Sequence, residues 1–174
     1  MDFKSLMSYL SDQIGLDGLK PDENGECQLF CEETAITIQD CPSINMLLMA
    51  APVAQMQEHE DSVLLKTLLE ANFAFAGTRG ATLSIDPATS ILYLSRYDAL
   101  NDLSQEHFYK DFLDFVTVLY KWQKRIEDYR HGHVESLEGA NTIEAQEEQL
   151  SDAETPEEDE EYRKNLRANS VIGV

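Results

Sequence analysis

Lysine and arginine are scarce, 13 against 33 Asp and Glu in 174 residues, for a formal net charge of −20. Binding nucleic acid requires clustered cations to neutralise phosphate, so nucleic acid is excluded as a partner. An anionic membrane is disfavoured on the same ground. Long apolar runs are also missing. No stretch approaches the roughly 20 residues that cross a bilayer. The opening "MDFKSLMSYLSDQIG" has neither the basic segment nor the continuous apolar core of a secretory signal, which leads us to expect a cytoplasmic chain. Cysteines number three, Cys27, Cys31 and Cys41, an odd count that does not build a disulfide framework. His59, His107, His131 and His133 add no paired zinc-ligand spacing, so no metal is expected and the thiols read as small apolar side chains.

Catalytic signatures are equally sparse. There is no nucleophile elbow, no zinc-binding His pair and no calcium loop. Gly77 and Gly80 in "NFAFAGTRGATLSID" invite comparison with a phosphate cradle. Such cradles lie between a strand and the following helix, where amides and the positive dipole end hold the anion. Here the order is helix then strand, so Gly77 reads as a helix stop and Gly80 as the entry to a strand. The acid pairs Glu32 with Glu33 and Asp111 with Asp114 fall on expected solvated faces, with no base to activate them. Trp122 and its neighbouring aromatics recur at helical spacing and read as core; a pocket near Trp122 and His107 is the alternative that would make the chain an enzyme. No catalytic residue, cofactor or enzymatic activity is expected.

What the chain does have is periodicity. Phe3, Leu6, Met7, Leu10 and Ile14 define a first helix that Gly15 stops. "CQLFCEE" and "TAITIQD" alternate as a hairpin. "SINMLLMAAPVAQM" follows as a third strand that Pro52 ends raggedly, with a helix through Met46 to Met49 as the alternative. A second helix begins near Asp61 or Ser62 and stops at Gly77. Its apolar surface is broad, with Leu65, Leu68, Leu69, Asn72, Phe73 and Ala76 in one stripe and Leu64, Ala71 and Phe75 extending it. That breadth points to a second surface buried against a partner subunit. "ATLSID" and "ILYLSRYD" make a second hairpin across "PATS", and a last helix starts at Asp102 or Ser104 and ends near His131 or Gly132. The predicted order α-β-β-β-α-β-β-α describes an α+β fold on antiparallel sheet.

Charge divides the chain. Residues 135–161 hold twelve acids and no Lys, Arg or His, with too little apolar surface to offset the entropy of ordering. The expected organisation is therefore a folded domain over 1–133 and an acidic, disordered tail over 134–174. The tail ends in the more basic and apolar "EYRKNLRANSVIGV". The first 134 residues carry 21 acids against 10 Lys and Arg, near −11.

This order of elements, with "LLEANFAFAGTRGATLSIDPATSILYLSRYD" at its centre and "FYKDFLDFVTVLYKWQKRI" closing it, resembles the class I type III secretion chaperones of the Tir-chaperone, CesT-like type. The resemblance spans residues 3 to about 130 and lies in hydrophobic spacing and order. It implies a bacterial, cytoplasmic homodimer without enzymatic activity, which holds the extended N-terminal segment of secreted effectors and presents it to the secretion apparatus. By the same resemblance, client binding falls to Phe3, Leu6, Met7, Leu10, Leu29, Phe30, Ile36, Ile38, Ile44, Met46 and Leu48. The dimer interface falls to Leu64, Leu68, Ala71, Phe75, Leu83 and Ile85. The tail departs from the family pattern: it reads as a solubilising segment, with occupation of the client groove or contact with the secretion ATPase or sorting platform as alternatives. An acidic dimeric regulator of the same fold, binding folded partners, is the rival reading.

Overall fold

Asp2 begins the first helix, α1 (Phe3–Ile14), by accepting a hydrogen bond from the Ser5 amide at 2.9 Å. Gly15 ends it in the left-handed region (φ 71°), where a glycine carries no Cβ penalty. The computed structural model describes residues 2–132 apart from Asp17, Glu32 and Asp61. The acidic tail expected over 134–174 lies outside the described residues. After α1 come β1 (Glu26–Cys31), β2 (Thr34–Cys41), β3 (Met46–Gln55), α2 (Ser62–Asn72), β4 (Thr82–Ile85), β5 (Ile91–Ala99) and α3 (Gln105–Arg130). Short 3-10 turns at Phe73–Phe75 and Leu100–Asp102 follow α2 and β5. The five strands form one sheet in the order β1-β2-β3-β5-β4, which leaves β1 and β4 at its edges. The α+β order expected from periodicity is the order observed.

Two local expectations are corrected. β3 runs through Pro52 to Gln55, and no helix replaces it at Met46 to Met49. The ladder to β2 pairs Met46 through Ala50, so Pro52 lies beyond it and its missing amide costs no bond there. Nor does α2 run on to Gly77. It ends at Asn72, and the reversal is made by Ala74 (φ 52°) and Phe75 (φ 58°), two consecutive left-handed residues without glycine. Such a pair costs about 1–2 kcal/mol per residue. Gly77 is not left-handed, whereas Gly80 (φ 89°) is, immediately before β4.

The described chain falls into two compact units, residues 2–51 with 96–113, and residues 52–95 with 114–132. In the first, Phe3, Leu6, Met7, Leu10 and Ile14 of α1 are buried. So are Cys27, Leu29, Cys31, Ile36, Ile38, Leu47 and Met49 of β1–β3, and Phe108 and Phe112 of α3. In the second the buried set includes Leu64, Leu68 and Ala71 of α2, Leu83 of β4, Leu92 and Leu94 of β5, and Phe115, Leu119, Trp122 and Ile126 of α3. The Trp122 indole N–H donates to the Gly77 carbonyl at 2.9 Å, which ties the turn after α2 to α3. Arg79 pairs with Asp114 at 3.0 Å in the same unit.

Asn72 closes one edge of the sheet. Its Oδ1 accepts from the Leu83 amide at 2.8 Å and its Nδ2 donates to the Leu83 carbonyl at 2.9 Å, so the side chain stands in for a neighbouring strand along β4. Replacing Asn72 with Ala removes both bonds and leaves two backbone groups without that partner. We expect a loss of about 1–3 kcal/mol, read as a lower midpoint in denaturant unfolding.

Candidate functional site

Two surfaces stand out, one in each unit. The first is the outward face of β1–β3. Strand alternation sends Cys27, Leu29, Cys31, Ile36, Ile38, Leu47 and Met49 inward, and Glu26, Gln28, Phe30, Ala35, Thr37, Gln39, Met46, Leu48 and Ala50 to the opposite face. Register then builds rows across it. Glu26 faces Gln39, which faces Leu48; Gln28 faces Thr37, which faces Ala50; Phe30 faces Ala35; Cys41 faces Met46. Phe30, Met46 and Leu48 are half-buried, and Ile44, in the turn between β2 and β3, is 60% exposed. Glu26 lies on the same face of β1 as Phe30. From Pro21 to Leu65 there are nine Asp and Glu and no Lys or Arg. Half-exposed apolar residues on a strand face suit an extended segment whose alternate side chains pack between them.

The second surface is the outward side of α2 with the turn that follows. Leu65, Leu69 and Phe73 recur four apart on one stripe, and Leu69 and Phe73 are 72% and 80% exposed. Val63, Phe75 and Ile85 add to it. Single exposed hydrophobes are ordinary on a protein surface; six in one unit, with Phe73 and Phe75 flanking a turn that the left-handed Ala74 and Phe75 make, are more than chance exposure supplies.

The residues singled out from sequence divide accordingly. Of those assigned to client binding, Phe3, Leu6, Met7, Leu10, Leu29, Ile36 and Ile38 are buried as core, and only Phe30, Ile44, Met46 and Leu48 offer side-chain surface. Of those assigned to a dimer interface, Leu64, Leu68, Ala71 and Leu83 are buried within the chain, while Phe75 and Ile85 are exposed. Leu65, Leu69, Phe73 and Val63, which are outside that set, are exposed. α2 is apolar on adjacent positions, so its periodicity does not say which side faces inward. The presence of Leu at 64, 65, 68 and 69 is the signal in the sequence for two apolar faces.

Other clusters read as structural. Arg96 lies 3.0 Å from both carboxylate oxygens of Asp98 and 2.8 Å from Asp111 Oδ2, with His107 Nε2 3.4 Å from the same oxygen. Burial raises the Asp111 carboxyl above its usual range, against the opposing pull of Arg96. The Cys27 thiol is pushed up to about 11 by burial and by the nearby charges of Asp22 and Glu26, which disfavours the thiolate that metal binding or nucleophilic attack requires. Trp122 is fully buried and His107 is exposed. Among the described residues no group of three His, Cys, Asp or Glu could hold a metal ion, and no helix is long and apolar enough to cross a membrane.

Comparison with known proteins bears on the family and the fold. The profile of the family described as the Tir chaperone protein (CesT) family matches residues 5–123. A search of curated protein sequences gives no match. Among solved structures, a chain of the HopA1–SchA chaperone–effector complex superposes with a TM-score of 0.60 at 15% identity, covering 70% of this chain and 93% of that one. The ExsC–ExsE complex gives 0.58 at 23% identity, covering 71% and 96%. The Yersinia pestis type III secretion chaperone SycH, in complex with a fragment of YscM2, gives 0.56 at 14% identity, covering 70% and 99%. At these identities the superpositions speak for the fold.

Proposed function

The chain belongs to the Tir chaperone protein (CesT) family, and on that premise we propose that it binds the extended amino-terminal segment of secreted effector proteins. It keeps that segment competent for export and presents it to a type III secretion apparatus. The observation that carries this reading is the β1–β3 face, where Phe30, Met46 and Leu48 are left half-exposed in a family whose members are chaperones. A client strand laid there gains apolar contacts at alternate positions and needs no covalent chemistry. Methionine at position 46 suits more than one client, since its flexible thioether repacks around different side chains. The reading makes the protein a cytoplasmic binder and not an enzyme, with delivery to the secretion ATPase or sorting platform as its last step.

The same reading makes the protein a homodimer through α2 and β4, using Val63, Leu65, Leu69, Phe73, Phe75 and Ile85. A two-fold interface presents each of these residues twice, so one stripe per chain suffices. Co-expression with the amino-terminal segments of candidate secreted proteins, followed by native mass measurement, tests the proposal. Two chains of this protein per client segment is the expected stoichiometry. Dimers that bind none of those segments but capture a folded partner instead would favour the regulator reading.

A further inference from the structure

The β1–β3 face has two properties that together select its occupant: apolar side chains at alternate positions, and strands and loops whose own sequence carries acids and no cations. Asp22, Glu23, Glu26 and Glu33 lie before, on and just after β1, and no Lys or Arg occurs between Lys20 and Lys66. An occupant should therefore be extended, apolar at spaced positions and basic in net charge. The last segment of the sequence combines these. After Arg130 the only Lys and Arg are Arg163, Lys164 and Arg167, in "YRKNLRANSVIGV" at residues 162–174. Read with a period of two, Leu166, Ala168, Ile172 and Val174 fall on one side together with Lys164, and Arg163, Asn165, Arg167 and Asn169 on the other together with Val171. Val171, Ile172 and Val174 are β-branched and favour extended backbone.

We propose that residues 162–174 lie along the acidic face of β1–β3 as a built-in pseudo-client, which a secreted segment must displace. The inference rests on the reading of that face as one that takes extended segments. A tether of 31 residues separates Arg130 from Tyr162. A chain of that length spans roughly 30 Å, about the width of a small domain, and like charges lengthen it. The twelve acids of 135–161 repel the acidic face, so the tether is kept off and the basic segment is drawn on. The arrangement shields the exposed Ile44 and the half-exposed Phe30, Met46 and Leu48 when no client is present. It also sets a threshold: a client binds only if it outcompetes a segment already at high local concentration.

Hydrogen exchange of the full-length protein tests this. We compare the wild type with the R163E/K164E/R167E variant, whose substitutions lie outside the described domain. Amides of β1–β3 are expected to exchange at least about five-fold faster in the variant, with α2 unchanged as the control for folding. Raising the salt from roughly 50 to 500 mM should reproduce the effect in the wild type, because screening weakens the same attraction. Equal exchange in β1–β3 would overturn the inference, as would a change confined to α2 and β4. An exchange difference without binding of any secreted segment leaves the pseudo-client standing and removes the chaperone reading. Binding of a secreted segment without an exchange difference does the reverse.

Discussion

Replacing Phe73 and Phe75 together with Glu yields a folded monomer. Both side chains are exposed in the single chain, 80% and 50%, so their removal takes nothing from its core. In the proposed dimer each is buried, and by symmetry each counts twice. Burying a phenylalanine contributes about 1.5–3 kcal/mol, and a glutamate in its place adds the cost of desolvating a charge. The dimer should weaken by at least about 4 kcal/mol, roughly a thousandfold in its dissociation constant. Light scattering at micromolar concentration reads the change as a halved mass with unaltered circular dichroism. Leu83→Glu provides the contrast: Leu83 is buried beneath β4, so that variant should lose folded protein instead of yielding a clean monomer.

Replacing Trp122 with Ala should be the most destabilising single change in the described chain. The side chain is fully buried in α3, and its N–H holds the Gly77 carbonyl at 2.9 Å. Truncating a buried Trp costs about 3–5 kcal/mol from lost transfer energy and the cavity left behind. An unpaired carbonyl adds about 1–3 kcal/mol. The sum approaches the whole stability of a small domain, so we expect mostly unfolded protein by thermal melt. Trp122→Phe separates the two contributions. It keeps most of the apolar bulk and loses the hydrogen bond, and it should remain folded with a midpoint lower by several degrees. Arg125, whose guanidinium carbon lies 5.3 Å from the indole centroid, loses a cation–π partner with Ala and keeps an aromatic one with Phe.

Element type was legible in the sequence wherever the apolar pattern had a single period. α1 shows five apolar residues at helical spacing between Asp2 and Gly15, and both ends form as that chemistry dictates. Strict alternation gave β1, β2, β4 and β5. β3 was harder, since both of its faces carry apolar residues and Pro52 reads as a break; its register shows that the proline sits past the ladder to β2. The end of α2 left no signal at all, because it is made by Ala74 and Phe75 and not by a glycine.

The site was less legible than the fold. An apolar stripe says that a helix is buried but not what against. Thus the residues on α1 assigned to a client pack within their own unit, while only Phe30, Ile44, Met46 and Leu48 of that set have surface left for one. On α2, Leu64, Leu68 and Ala71 of the set assigned to a dimer are buried within the chain, while Leu65 and Leu69 face outward. Adjacent leucines at 64 and 65, and at 68 and 69, make the two faces equal in hydropathy, and only packing against the sheet decides between them. The acid-only sector from Pro21 to Leu65 could be read from the start, but its meaning depends on the register that places Glu26 on the same face as Phe30 and Leu48.

The central claim is that this protein holds an extended segment on the β1–β3 face, and photocrosslinking tests it most directly. A photoreactive residue at Leu48 is half-exposed on that face, and one at Leu69 on α2 serves as the comparison. In a complex co-expressed with the amino-terminal segment of a secreted protein, Leu48 should crosslink to that segment and Leu69 to the second copy of the chain. A client that crosslinks through Leu69 and never through Leu48, or a segment that resists protease as a folded domain when bound, would contradict the account.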